Sequence, residues 1–393
     1  MADSAALLVD DVLPHQPMRQ WVLSVPFPLR FLFASQPKVM GKALGIVYRT
    51  IATHLTRKAG YTKSTAHAGA VTLIQRFGGA LNLNIHFHML FLDGVYAGGA
   101  GSAKFRWVKA PTNSELNQLA HTIAQRLARY LERQGLLERD AEHNYLALDH
   151  SDEDPMDQLR GHSITYRIAV GPQQGRKVFT LQTLPGIEEP FNGCAGQAAG
   201  FSLHAGVAVR ANQRDKLERL CRYITRPAIS EKRLSLTNQG QVRYELKTPY
   251  RDGTTHVIFE PVDFIAKLAA LVPRPRVNLT RFHGVFAPNS KHRALVTPAK
   301  RGKGNKPKAA DGQEEQTPVQ RHAAMTWAQR LKRVFNIDVE TCRICGGSAK
   351  VIACIEDPVI IKKILTHLEE KSPARAALLF PDSRAPPQSS LFG

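Results

Sequence analysis

Asn82-Leu83-Asn84-Ile85-His86-Phe87-His88-Met89-Leu90 alternates polar and apolar residues as far as Met89. A strand sends successive side chains to opposite faces. Leu83, Ile85, Phe87 and Met89 therefore share one face, and Asn82, Asn84, His86 and His88 share the other. Two imidazoles two residues apart on one face can hold a single metal ion. A polar outer face that happens to carry two histidines has the same pattern, and the spacing alone leaves both readings open.

The flanking sequence surrounds this strand with others. Gly78-Gly79 reads as the turn before it and Asp93-Gly94 as the turn after it. Residues 70–77 read as a second apolar strand, and Gln20-Trp21-Val22-Leu23-Ser24-Val25-Pro26-Phe27-Pro28 as a strand ended by prolines. Residues 37–58 carry a helical stripe of Val39, Leu44, Val47, Ile51 and Leu55. A long amphipathic helix is expected over 113–134, capped by Asn113 or Ser114. Residues 137–160 read as an acidic loop. Strands are expected near 163–170, 176–184, 200–210, 241–248 and 255–260, with helices over 212–225 and 261–271. This mixed order predicts an α+β fold with a largely antiparallel sheet and packed helices.

The helix that ends in Leu217-Glu218-Arg219-Leu220-Cys221-Arg222-Tyr223-Ile224-Thr225-Arg226-Pro227 has two distinct sides. Leu217, Leu220, Cys221 and Ile224 form one apolar stripe. Arg219, Arg222 and Arg226 lie opposite it, as candidate DNA-binding residues, because a guanidinium fork donates to phosphate in pairs. Tyr223 falls on the border. It reads either as a tyrosine whose hydroxyl reaches a basic groove or as an amphipathic boundary residue on a solvated helix.

The 393 residues are 43% hydrophobic, enough for a packed core and two or three domains. Lys and Arg total 53 against 33 Asp and Glu, a net charge of +20 that points to a polyanionic partner. No apolar run approaches the ~20 residues of a spanning helix, and the acidic N-terminus does not resemble a secretory signal. Five cysteines, an odd number, fit reduced thiols or a metal site better than a disulfide framework. A cytoplasmic, nucleoid-associated protein is expected, with no membrane partner.

Four segments are expected: 1–287 as the main α+β domain, 288–320 as a basic linker, 321–370 as a small C-terminal module and 371–393 as a disordered tail. Lys300, Arg301 and Lys303 open a run of five basic residues that reads as a solvated tether, with or without a grip on phosphates. In the C-terminal module, Cys342-Arg343-Ile344-Cys345-Gly346-Gly347 has the spacing of a zinc knuckle, with Cys342 and Cys345 as candidate Zn²⁺ ligands. Only Cys354 and His367 follow, so a tight turn that binds nothing is equally open.

Together, the Trp21–Pro28 strand, Gln75-Arg76-Phe77-Gly78, the His-hydrophobic-His strand and Leu220–Pro227 resemble the HUH endonuclease superfamily. Within it, residues 5–370 resemble transposases of the IS-ninety-one type, and above all those of insertion-sequence common regions. The resemblance implies an HUH transposase domain over 1–287 that cleaves single-stranded DNA at element ends. It implies Tyr223 as nucleophile, His86 and His88 as ligands of a divalent Mg²⁺ or Mn²⁺ ion, Gln75 as a third ligand, and Asn84 as holder of a bound water. Related chains often carry a second tyrosine one turn earlier, where this one has Arg219. A second cleavage then needs a homodimer, water or re-use of Tyr223. Related chains also tend to begin with a cysteine-rich zinc segment. Here no cysteine precedes Cys194, so a truncated product is expected.

Three competing readings remain. A plasmid replication initiator or relaxase would use the same chemistry, though the chain has no phosphate-binding Gly-x-x-x-x-Gly-Lys-Ser/Thr loop of a helicase. A catalytically inactive remnant would bind DNA and form no covalent adduct. A zinc hydrolase lacks its helical His-Glu-x-x-His.

Overall fold

The histidine strand, Leu83–Leu92, is an interior strand of a six-stranded antiparallel sheet in the computed structural model. The structure describes residues 2–98, 103–139, 144–146, 154–184, 196–300, 325–342, 345–350, 355 and 357–371. Two compact units form, Leu8–Ala310 and a smaller one that joins Met1–Leu7 to Asp311–Gly393. In the smaller unit α1 (Ala2–Leu7) meets α9 (Trp327–Phe335) through Asp3 and Arg330 at 3.3 Å, and α10 (Pro358–Lys371) follows.

The larger unit begins with a π-helical turn, Leu8–Val12, then β1 (Met18–Ser24), α2 (Phe27–Ser35) and α3 (Pro37–Lys58). Next come β2 (Ala66–His67), β3 (Gly69–Phe77), the histidine strand β4, β5 (Gly94–Ala97) and β6 (Lys104–Trp107). Then follow α4 (Asn113–Arg133), β7 (Leu137–Arg139), β8 (Asn144–Leu146), α5 (Pro155–Ile164), β9 (Phe179–Gln182), β10 (Gly196–Ala198) and β11 (Phe201–Val209). Helix α6 (Arg214–Ile224) leads to β12 (Leu234–Leu236), β13 (Val242–Glu245), β14 (Thr254–Phe259), α7 (Pro261–Leu271), β15 (Thr280–Gly284) and α8 (Arg293–Val296). The large sheet runs β10-β11-β1-β4-β3-β15, and a four-stranded sheet runs β12-β13-β14-β9. The fold is α+β with antiparallel sheets, as the mixed order of elements predicts.

Alternation decides which face of β4 is covered. Phe87, Met89 and Phe91 are fully buried, with Trp21 and Leu23 of β1 and Leu203 of β11, in one core with α2, α3 and α4. Burial of each such side chain is worth ~1.5–3 kcal/mol, so this face sets the strand register. A slip by one residue would turn the histidines into the core. Gly78 makes the tight β3–β4 turn possible, because an added Cβ would lie 2.2 Å from Asn82 Oδ1.

Local signals misplace a few boundaries. Thr112, not Asn113 or Ser114, caps α4: its hydroxyl accepts from Glu115 N–H (3.2 Å), and Glu115 accepts from Thr112 N–H (2.7 Å). The strand expected near 163–170 is instead the end of α5 and a turn. Asp154 caps α5 by accepting from Met156 N–H at 2.9 Å, and Pro155 fills the first helical position. The loop expected over 137–160 thus contains the start of a helix. Helix α2, after Pro26, replaces the end of the expected first strand. No described helix is long and apolar enough to cross a membrane.

Candidate active site

His86 and His88 lie on the face of β4 opposite the helix-packed core, with ring centres 4.9 Å apart. His86 Nδ1 is 2.9 Å from the Asn84 carbonyl oxygen. A carbonyl only accepts, so Nδ1 carries the proton and Nε2 keeps its lone pair. His88 Nδ1 is 2.7 Å from the side-chain amide of Gln20. Gln20 lies on β1 two residues from Val22, the partner of His88, so it reaches the ring diagonally. Gln20 Nε2 is the atom that faces the ring, so it donates, Nδ1 accepts and the ring proton sits on Nε2; the amide rotated end for end would put the proton on Nδ1 and the open pair on Nε2. Burial lowers the pKa of both rings. Arg226 and Arg30 push His86 further down against its bond to Asn84, and His86 and Arg226 help to push His88 down to about 3. Both imidazoles are therefore neutral at pH 7, the form that binds metals.

Gln75 faces His86 directly across the β3–β4 ladder. Its Nε2 donates to the Ile224 carbonyl at 2.9 Å. That carbonyl ends α6 and has no helical partner of its own. The bond fixes the amide, because only the nitrogen can face a carbonyl, and Oε1 is left as the ligand-type atom. It also ties the end of α6 to the histidine side of the sheet. The other end of α6 is anchored by Arg214, which donates to the carbonyls of Pro14 (3.0 Å), Leu13 (3.0 Å) and Val9. Leu217, Leu220, Cys221 and Ile224 are buried, as their spacing predicts.

Tyr223, held between these anchors, is half-buried with its ring centre 6.5 Å from that of His88. Two cations flank its ring: the Arg226 guanidinium at 4.2 Å and Lys247 Nζ at 4.8 Å. Of the three arginines read along this helix, Arg226 alone has a described contact with the tyrosine ring. Arg222 is bonded to Glu218 at 3.0 Å, and Arg219 is exposed one turn away.

The other candidates are spread along the chain. Lys300 is exposed at the end of the larger unit's described residues, and Arg301 and Lys303 lie outside the described residues. Residues 288–300 include α8, and Ala299 N–H donates to Asp11 O at 3.3 Å. Cys342 and Cys345 stand as reduced cysteines on a tight turn. Gly346 N–H donates to Cys342 O (2.9 Å), Cys342 N–H donates to Gly347 O (2.8 Å), and Cys345 Sγ lies 3.3 Å from where a Gly347 Cβ would be. Cys354 lies outside the described residues, and His367 is exposed on α10.

Residue patterns along the chain did not single out Gln20, Arg30, Lys247 or His204. Gln20 has no local signal, since only the β1–β4 pairing sets it two residues from a strand partner of the histidines. His204 on β11 shares their face, because it pairs with Val22, which in turn pairs with His88.

The donors present fit a divalent ion. His86 has Nδ1 tied and Nε2 open, His88 offers Nε2 once the Gln20 amide is rotated, and Gln75, paired with His86 across the ladder, has its oxygen free of the Ile224 bond. Asn84 Oδ1 is buried on the same face with no hydrogen-bond partner among the described residues. Such an orphan is accounted for by a bound water or ion. Among the described residues, no third His, Cys, Asp or Glu joins the pair.

A family model described as "Putative transposase" matches residues 69–294, more than half of the chain. Neither the curated proteins nor the solved structures give a match. The matched span runs from the first residue of β3 to α8, and so contains both histidines, Gln75 and the anchored helix of Tyr223. The chain therefore belongs to this family of DNA transposases.

Proposed function

We propose that this transposase nicks and rejoins single-stranded DNA at element ends by the rolling-circle, HUH-type route, with Tyr223 as nucleophile. The observation that carries this reading is the placement of a cation-flanked tyrosine 6.5 Å, ring to ring, from a neutral histidine pair. A divalent ion, Mg²⁺ or Mn²⁺, held by His86, His88 and Gln75 Oε1 would withdraw charge from the scissile phosphate. Arg226 and Lys247 grip the phosphodiester and hold the phenol ring against it. Tyr223 Oη forms a bond to phosphorus as the P–O3′ bond breaks. The phenol proton is released and the 3′-oxygen leaves as a hydroxyl. The result is a 5′-phosphotyrosine and a free 3′-OH. Attack by a 3′-OH on that ester reverses the step without ATP, because the phosphodiester energy is conserved. One tyrosine per site makes a homodimer the simplest source of a second cleavage.

The test uses single-stranded oligonucleotides from the element ends, the whole chain, and Mn²⁺ or Mg²⁺. A denaturing gel should show a metal-dependent covalent protein–DNA band, lost in Tyr223→Phe while DNA binding persists. An adduct retained in Tyr223→Phe would remove this residue from the mechanism. Binding without any adduct would favour the inactive DNA-binding reading.

A further inference from the structure

The helical side of the large sheet, away from Tyr223, carries a second basic surface. Helix α3 contains no acidic residue in its 22 positions. On α4, Arg126, Arg129 and Arg133 recur at helical spacing and face Arg49 of α3 across a groove of about 230 Å³ floored by Ile46. Arg49 also lines an adjoining pocket of about 670 Å³, where Lys63, Lys291, His67 and His292 converge. The His67 and His292 rings are 4.6 Å apart. The Arg49 guanidinium lies back across its own helix over Gly45, with Nη1 3.2 Å from where a Cβ would be. Among the described residues no acidic side chain lines either pocket. Of the two acids on α4, Glu115 is bonded to Lys58 at 2.6 Å, and Glu132, next to Arg133, is not part of the lining of either hollow.

We propose that the α3–α4 face, from Arg133 through Arg49 to Lys63 and Lys291, is a second DNA-binding surface that grips the phosphates of a segment not passing through the Tyr223 site. The inference rests on the DNA-processing reading above. Convergent guanidiniums without carboxylates are costly in a free protein, since like charges repel, and the cost is recovered when phosphates enter. At ~1.5 Å per helical residue, Arg126 to Arg133 spans roughly 10 Å. That matches about three phosphates of one duplex strand at ~3.4 Å of axial rise each. The surface separates two tasks: chemistry on one face of the sheet and retention of a neighbouring DNA segment on the other.

Fluorescence anisotropy on the whole chain tests this, with a single-stranded and a duplex oligonucleotide across a salt series. Each phosphate contact adds about 0.7 (single strand) to 0.9 (duplex) to the slope of log affinity against log salt. Neutralising Arg126, Arg129 and Arg133 together to Gln should flatten the slope by about 2–3 on the probe that uses this face. Arg126 also donates to Thr50 Oγ1 (3.1 Å), so Lys63→Gln with Lys291→Gln, both exposed, serves as an independent variant. It should flatten the slope by about 1–2. Whichever probe responds identifies the DNA form held there. Wild-type slopes in both variants on both probes would overturn the second surface and leave the Tyr223 reading intact. Absence of salt-dependent binding in the unmodified chain would overturn both.

Discussion

Gln75 has one duty shown by its bond to Ile224 and a second proposed at the metal, and substitutions can pull them apart. Its Nε2 satisfies the Ile224 carbonyl at 2.9 Å, and its Oε1 is the ligand-type oxygen beside His86. Gln75→Met keeps the volume and removes both duties. The residue is 4% exposed, so the carbonyl at the end of α6 is left without a partner and water cannot easily replace it. The expected loss is ~1–3 kcal/mol in metal-free urea unfolding. Gln75→Glu also loses the donor but keeps, and charges, the ligand oxygen. Its metal-free loss should match or exceed that of Met. Addition of Mn²⁺ at a hundredfold excess over its dissociation constant should stabilise a full site by ~2.7 kcal/mol. Gln75→Glu should show that increment and Gln75→Met should lose much of it. Unfolding of Gln75→Met at the wild-type midpoint would refute the tether. Equal Mn²⁺ increments in both variants and the wild type would refute the ligand role.

Three further outcomes are expected. Burial, aided by Arg281, pushes His283 down to about 4 beneath Tyr48. Between pH 6.5 and 4 the unfolded chain takes up a proton there that the folded chain refuses, so stability falls with pH in that window, by ~3 kcal/mol in all; an unchanged acid limb in His283→Gln would contradict this. Asp93 accepts both arms of the buried Arg19 guanidinium at 2.9 and 2.8 Å, so Asp93→Ala should cost ~3–5 kcal/mol by chemical denaturation, and a loss below ~1 kcal/mol would show the pair to be screened. Calorimetry of Mn²⁺ binding to Tyr223→Phe should give a tighter constant with a bound oligonucleotide than without, by roughly 5–150-fold, and none of this gain in His86→Ala with His88→Ala; identical constants would sink the coupling.

What could be read from residue order is what short-range periodicity controls. The histidine strand has a two-residue period and apolar partners that leave one register. The α6 stripe of Leu217, Leu220, Cys221 and Ile224 fixes which way Tyr223 points to within a fraction of a turn. Gln20 and Lys247 were hidden for a different reason. Each meets the site through a pairing between distant segments: Gln20 by the diagonal of the β1–β4 ladder and Lys247 by the docking of the second sheet. Arg222 shows the converse limit. Helical spacing sets it among the basic residues, and a glutamate one turn back then takes its charge. Helix α5 was missed because its amphipathic signal is weak and its start is carried by one Asp-Pro pair.

The coupling proposed between metal and DNA follows from what surrounds the histidines. Metal sites in proteins usually offset the ion's charge with carboxylates. Here the described donors are neutral imidazoles and amides, and the charges that act on the histidines, Arg30 and Arg226, are positive, as is Lys247 beside Tyr223. Arg226, which lowers both histidine pKa values, and Arg30, which lowers that of His86, oppose a divalent ion in the free protein by the same repulsion. A phosphodiester reverses the balance, because it pairs with the guanidiniums and offers anionic oxygens to the ion at once. Linkage makes the effect mutual, so the metal must raise DNA affinity by the same factor. On the proposed reading, a site built this way would assemble its electrophile only when a phosphate is in place. The polar face of β4 is therefore an unfavourable surface in isolation: a buried His88, a half-buried His86, a buried Gln75 opposite and an orphaned asparagine oxygen. Local violations of this kind persist where a ligand completes them, and the ligand proposed here would bring its own negative charge.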